Sequence, residues 1–290
     1  MDCQNYSLTQ SIALCRQIVA KYDRTFYLGS LLMPLPKRQA MWAIYAWFRQ
    51  KDEFIDGIES RTVKQTMLHR WFEQMEALFD SGYPSTLTDV PLIDTIQRYQ
   101  LPIEPFRDML RGQQMDLELN RYQTWEDLRL YCYRVAGAVG LVSTPILGSV
   151  PGKDATEALV ELGIAMQLTN ILQDIGADAR RGRIYLPLED LKRFSYTEQD
   201  LFKSVNDKRW IMLMNYEIQR GRELYGRSEQ GIAGLQRNVR WPMWVALILY
   251  RQDLRAIERN HYQVFGDRPQ LPCLWRVEAL LLGWWRAVLF

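Results

Sequence analysis

The chain has 290 residues, 48% of them hydrophobic, with 36 Lys and Arg against 34 Asp and Glu for a net charge of +2. A chain of this length can bury a large core, and the balanced charge gives no electrostatic reason to expect a nucleic-acid partner. Cys3, Cys15, Cys132 and Cys273 are scattered, with no C-x-x-C pair or short spacing, which argues against a disulfide framework or zinc site and points to reduced thiols inside a cell.

Met1 to Leu14 include Asp2, Gln4, Asn5 and Ser7 and lack the basic start and apolar run of a signal peptide, so no export is expected. Pro34 and Pro36 announce a long helix running to about Ile58, and Pro102 with Pro105 announces another through Met109 and Met115. Thr124 and Asp127 have the spacing of a capping box opening a helix through Tyr131 and Arg134. Val135 to Gly152 is the longest uncharged stretch, but its Gly, Ser and Thr and the break at Pro151 fit a buried helix with close neighbours better than a membrane span. Gly152 and Pro187 mark breaks, and Gly221 and Gly231 fall in a polar region before an apolar block, Trp241 to Tyr250. The tail Ala279 to Phe290 mixes Leu, Trp and Arg, which suits either a membrane interface or a helix capping the core. Apolar residues recur at three and four throughout, without a convincing alternating strand, a repeat or a linker. The fold class is therefore all-α, with one domain over residues 1–290.

Two segments carry the chemistry. At about 100° per residue, Tyr45, Arg49, Asp52 and Asp56 share a helix sector of about 60°, with Trp42, Ile44, Trp47 and Phe48 around them. By itself this is either a polar site or ordinary surface spacing of charges at i,i+4. Gln167, Asn170, Asp174 and Asp178 likewise share about 80° of a helix whose other side carries Leu162, Leu168, Ile171 and Ile175, so the stripe is expected to line a cleft. Carboxylates and amides without histidine are hard oxygen donors, the chemistry of magnesium rather than of zinc or iron. Arg180, Arg181 and Arg183 follow at once, either as charge partners of a diphosphate or as a solvated helix end. Two carboxylate pairs facing one cavity repel one another unless divalent cations neutralise them. Metal bridging to a diphosphate supplies that neutralisation and assists leaving-group departure.

These residues resemble the squalene/phytoene synthases, most closely the phytoene synthases of cyanobacteria and plants. The resemblance covers Lys21-Tyr22, Thr25 to Gly29, Trp42 to Tyr45, Asp52 to Gly57, Tyr131 to Gly137, Gln167 to Leu172 and Asp174 to Arg183, in order. It implies an isoprenoid-synthase helical fold with a central cavity and head-to-head condensation of two geranylgeranyl diphosphates, through a cyclopropyl diphosphate, to phytoene of the carotenoid pathway. It implies no NADPH. By resemblance Asp52, Asp56, Asp174 and Asp178 bind Mg2+, or Mn2+, with Asn170 beside them, while Tyr45, Arg49 and Gln167 help hold diphosphate and metal. Thr25 and Phe26 match the phosphate end of the cavity, Tyr131 and Tyr250 its lining, and Val135 and Gly137 a kinked helix beside the prenyl chain. Arg181 and Arg183 are taken as further substrate contacts. A cytoplasmic protein without transit peptide, peripheral at a membrane and near other carotenoid-pathway enzymes, is expected.

The chain departs from that pattern at Gln50, Gln114 and Gln173, where the family usually has arginine, and at Ala177 and His261, where it usually has acids. Each lost arginine removes a charge and a two-pronged donor. Two further readings follow: a squalene or dehydrosqualene synthase on C15 substrates, and a paralogue without turnover that binds prenyl lipid or acts in assembly.

Overall fold

The computed structural model describes residues 7–268 and 271–289. Cys3, the polar start and Phe290 of the expected tail lie outside the described residues. Among the described residues there is no strand, only isolated bridges joining Arg121 to Ile184 and Ser149 to Leu235. The all-α expectation holds.

The N-terminal helices α1 (Leu8–Tyr22) and α2 (Arg24–Ser30) pack on α3 (Leu35–Ile55) through Cys15, Val19, Trp42 and Ala46. Asp23 starts α2 by accepting the Phe26 amide at 2.8 Å on Oδ1, the usual way an orphan helix donor is satisfied. Pro34 and Pro36 open α3 as expected, but it stops at Ile55 rather than near Ile58. Asp56 closes the last turn, its N–H donating to Asp52 O at 2.9 Å, so the two aspartates still share a face. On the other side of α3 lie α4 (Arg61–Asp80), α5 (Asp89–Tyr99) and α6 (Glu104–Glu118), the last with Pro105 in its first turn.

Thr124 and Asp127 form the expected capping box, opening α7 (Trp125–Cys132). A π-helical turn, Tyr133–Gly137, then leads without a break into α8 (Ala138–Leu147). Trp125–Leu147 is long and apolar enough, by composition, to cross a membrane. It runs instead between α6 and α9 (Thr156–Arg180), burying Leu128, Cys132, Ala138, Val142 and Ile146. The close approach depends on missing side chains. A Cβ on Gly140 would lie 2.5 Å from the Leu159 carbonyl, and one on Gly163 would lie 2.4 Å from the Ala136 carbonyl. The extra residue of a π turn changes the side-chain register, and such turns are frequent at functional sites.

After α10 (Leu188–Arg193) and α11 (Glu198–Phe202) come the long helices α12 (Lys208–Ile232) and α13 (Arg237–Arg259), both against α9, and finally α14 (Cys273–Leu289) against α13. Gly221 falls in a polar region of the sequence, and α12 runs straight through it. There an added Cβ would sit 3.2 Å from Leu254 Cδ1, so the glycine is a close-packing position against α13. The buried side chains of α3 to α14 form one continuous core. Of the C-terminal helix, Ala279 and Gly283 are the buried residues, and the helix packs against α13.

One buried ion cluster ties α10 to α12. Arg220 Nη1 donates to Asp190 Oδ2 at 2.9 Å and to Glu217 Oε2 at 2.6 Å, with its guanidinium between the rings of Trp125 and Tyr216. Burial pushes the Glu217 carboxyl up to about 8, against the pull of Arg220. Removing the cation strands both carboxyls in the core. Arg220→Met should therefore lower stability by about 3–5 kcal/mol, read as a fall in the midpoint of urea unfolding.

Candidate active site

The last turn of α3, the middle of α6 and the C-terminal half of α9 bring their carboxylates to one place. α9 is enclosed by α7, α8, α12 and α13, yet Val160, Met166, Gln167, Asn170, Asp174 and Asp178 along one stripe stay partly exposed. Solvent reaches that stripe through a cleft between helices. Asp52 accepts a hydrogen bond from the Gln113 side chain of α6. Burial pushes its carboxyl up to about 7, with Asp116 and Asp56 adding to the rise and Arg49 opposing it. Asp178 is likewise pushed up to about 7, by burial first and by Asp174 next, with Asp56 contributing from across the cleft. The two aspartate motifs therefore lie near one another.

Arginines hold the groups apart. Arg183 donates to Asp56 Oδ1 at 3.2 Å and to the Asp116 carbonyl at 3.4 Å, joining the end of α9 to α3 and α6. Arg268, from the segment between α13 and α14, grips both oxygens of Asp174. Arg181 is exposed and lies near enough to Asp178 to favour its ionised form. Arg49 pairs with Glu53 and stacks 4.7 Å from the Tyr22 ring, but its Nε is buried without a partner. A buried guanidinium donor left unmade is costly and suits an incoming anion.

A second cluster backs the first. Asp116 accepts from Tyr185 OH at 2.7 Å and from Tyr131 OH at 3.0 Å, and the rings of Tyr122, Tyr131 and Tyr185 pack together. Burial pushes Asp116 up to about 6, while those hydroxyls and Arg183 pull it down. Towards the N-terminal helices, Phe26 stacks on Tyr45 at 5.4 Å. Burial and the nearby Asp23 both raise the hydroxyls of Tyr45 and Tyr250. Thr25 is exposed at the start of α2, whereas Val135 and Gly137 sit in the π turn beside Gly112 and Ile164.

The donor set fits a hard divalent cation. Four carboxylates gather here in two pairs, two of them with proton affinity raised first by burial, and carboxylate oxygens suit Mg2+ or Mn2+. Among the described residues no three acidic, His or Cys side chains are gathered tightly enough to hold an ion by themselves, so water or substrate oxygens have to complete the coordination.

The family model described as squalene/phytoene synthase matches residues 19–275. The chain belongs to the squalene/phytoene synthase family. It is 52% identical to a phytoene synthase of Arthrospira platensis, over 96% of this chain and 94% of the relative. It is also 49% identical to a 15-cis-phytoene synthase of Synechocystis sp., over 97% and 86%. Its structure is similar to that of a dehydrosqualene synthase in complex with ligand, with a TM-score of 0.90 and 30% identity over 97% of this chain and 98% of that one. A squalene synthase from Alicyclobacillus acidocaldarius gives a TM-score of 0.81 at 25% identity, over 90% and 98%. The helical fold is thus the isoprenoid-synthase fold expected from the sequence.

Against this family the unusual glutamines have definite places. Gln50 accepts from Thr88 Oγ1 at 2.9 Å, at the start of α5 and on the far side of α3 from the cleft. Gln114 donates to Glu118 on the outer face of α6 at 2.7 Å. Gln173 is buried and bonds Asp253 of α13, next to Arg268. Only the last of the three adjoins the aspartates. Ala177 is partly buried on α9, and His261 lies in the turn after α13 with φ +52°.

Sequence reasoning missed Asp116, Gln113, Tyr185, Arg268 and Asp23. For Asp116 and Gln113, a polar stripe at helical spacing on α6 could have marked them. Arg268 lies in irregular chain, where no period gives it a face. Asp116→Asn, which weakens the hold on Tyr131 and Tyr185, should lower turnover about 10- to 100-fold with an unchanged far-ultraviolet circular dichroism spectrum. Gln50→Ala and Gln114→Ala should leave turnover unchanged in the same assay.

Proposed function

We propose that this chain is a phytoene synthase, a prenyltransferase of carotenoid biosynthesis that joins two geranylgeranyl diphosphates head to head. The observation that carries the reading is the meeting of Asp52 and Asp56 from α3 with Asp174 and Asp178 from α9 across one cleft, in a chain about half identical over its length to phytoene synthases. In this reading Asp52, Asp56, Asp174 and Asp178 hold Mg2+, or Mn2+, with Asn170 and Gln167 beside them. A cation held by these residues would supply neutralisation of the leaving diphosphate.

The chain's own residues supply the rest. Arg49, with its unpartnered Nε, and Arg181 and Arg183 at the end of α9 receive diphosphate oxygens, since guanidinium presents paired donors to such groups. Tyr45 and Phe26 close the phosphate end. Val135, Val139 and Met166, partly exposed on the inner faces of the π turn, α8 and α9, offer apolar contacts to the prenyl tails and keep water from the cationic carbon. Tyr131 and Tyr250 line the same space with hydroxyls that stay protonated, because burial raises both. Release of the hydrocarbon requires proton loss rather than hydride gain, so no NADPH takes part. Because substrate tail and product are long hydrocarbons, the chain works at a membrane surface beside other carotenoid-pathway enzymes, with α14 as the membrane-facing element.

Incubation of the purified chain with geranylgeranyl diphosphate and Mg2+ should yield a C40 hydrocarbon irrespective of NADPH. Chelation should stop the reaction and added Mg2+ restore it. Asp52→Asn and Asp178→Asn should each cut turnover by at least about 100-fold. A C30 product from farnesyl diphosphate alone would instead favour a squalene or dehydrosqualene synthase, and no product with either substrate would favour a binding protein.

A further inference from the structure

The face that α14 turns away from the protein is apolar and uncharged. At about 100° per residue, Leu274, Val277, Leu281, Trp284, Trp285 and Val288 fall within a sector of about 100°. Leu274 is 79% exposed, Leu281 65% and each tryptophan 54%. Ala279 and Gly283 lie opposite and form the contact with α13, so close that a Cβ on Gly283 would approach Val245 Cγ2 to 2.8 Å. The helix thus touches the protein with its smallest residues and shows its largest to the outside. Each large apolar residue on that face is more than half exposed, and contiguous exposed apolar surface of this kind marks an interaction site.

The charges beside this face are not balanced. Arg286 is tied to Glu229 at 3.1 Å and lies over the Trp244 ring, and Glu278, the one acid of α14, takes a hydrogen bond from Gln252 at 3.3 Å. Arg255 and Arg259, one turn apart on α13 and both exposed, stand over the Trp275 ring at 5.0 and 5.2 Å. Neither makes an ion pair among the described residues. An apolar helix face flanked by unneutralised arginines on an indole matches the boundary of a bilayer whose headgroups are negative, where tryptophan sits between phases and arginine reaches phosphate. A second copy of the chain fits less well, because an α14-to-α14 contact offers the two arginines of each copy only the single carboxylate of Glu278.

We propose that α14 lies flat in the surface of an anionic phospholipid bilayer, with Leu274, Leu281, Trp284, Trp285 and Val288 among the acyl chains and Arg255 and Arg259 on lipid phosphates either side of Trp275. The proposal rests on the membrane-surface reading above and adds the orientation and the lipid class. The apolar face provides binding to any bilayer, and the arginine pair provides the preference for negative charge.

The test is co-sedimentation of the full chain with vesicles of phosphatidylcholine alone and of phosphatidylcholine mixed with phosphatidylglycerol. The full chain should bind the anionic vesicles much more tightly. Arg255→Gln with Arg259→Gln should weaken that binding about 30-fold and leave binding to neutral vesicles unchanged. Leu281→Asp with Trp284→Asp should abolish both. Thermal unfolding and turnover on detergent-dispersed substrate should match the unaltered chain in each variant. Equal binding to both vesicle types, or an anionic preference that survives loss of both arginines, overturns the proposal while leaving membrane association standing. Absence of binding to either vesicle overturns the membrane reading itself. A dimer in analytical ultracentrifugation that the Leu281→Asp, Trp284→Asp variant dissolves assigns the face to a second copy and overturns the proposal too.

Discussion

Like charge gathered in a low-dielectric place governs this molecule. Asp52, Asp56, Asp116, Asp174 and Asp178 come from three helices, α3, α6 and α9, and burial raises the proton affinity of Asp52, Asp116 and Asp178. A core built for stability alone would not assemble them, since each added carboxylate raises the cost of the next. The surrounding design manages that cost. Arg183 spans Asp56 and the α6 backbone, Arg268 clamps Asp174, Gln113 donates to Asp52, and Tyr131 and Tyr185 donate to Asp116.

The packing of α9 makes the gathering possible. A helix buried on most of its surface can present a narrow polar stripe only if its neighbours come close elsewhere. Gly140 and Gly163 let the α7 to α8 rod lie backbone to backbone against α9. The π turn sits at that crossing and adds a residue just after Tyr131, which faces Asp116. Rigid close packing on one side and partial exposure on the other give a cleft whose wall is a single long helix. Groups fixed on such an element are held in place better than groups on loops.

How much of this the sequence carried depends on whether a residue sat on a periodic element. The facing aspartates were legible because α3 and α9 are regular and the stripe of Gln167, Asn170, Asp174 and Asp178 is polar against Leu162, Leu168 and Ile171. The capping box at Thr124 and the proline starts were legible for the same local reason. Arg268 was not, because the segment after α13 has no period and its partner is 94 residues earlier in the chain. Gln50 and Gln114 looked like losses from the site, since spacing alone does not tell which face of α3 or α6 meets the cleft. Their bonds to Thr88 and Glu118 turn them elsewhere.

The clamps on the aspartates have a thermodynamic consequence. A cation that takes Asp174 competes with the two-pronged grip of Arg268, and one that takes Asp56 competes with Arg183. Its net affinity is therefore the difference between two strong interactions. Arg183, the less exposed of the two, is left without a counter-ion when released in this way, which is unfavourable unless an anion arrives. Cation and anion then assist one another: each relieves the charge the other exposes, and by linkage the assistance is equal in both directions. A diphosphate carrying a metal would satisfy both demands at once. The same arginines that keep the free protein from flying apart thereby favour binding the two charges as a pair over binding either one.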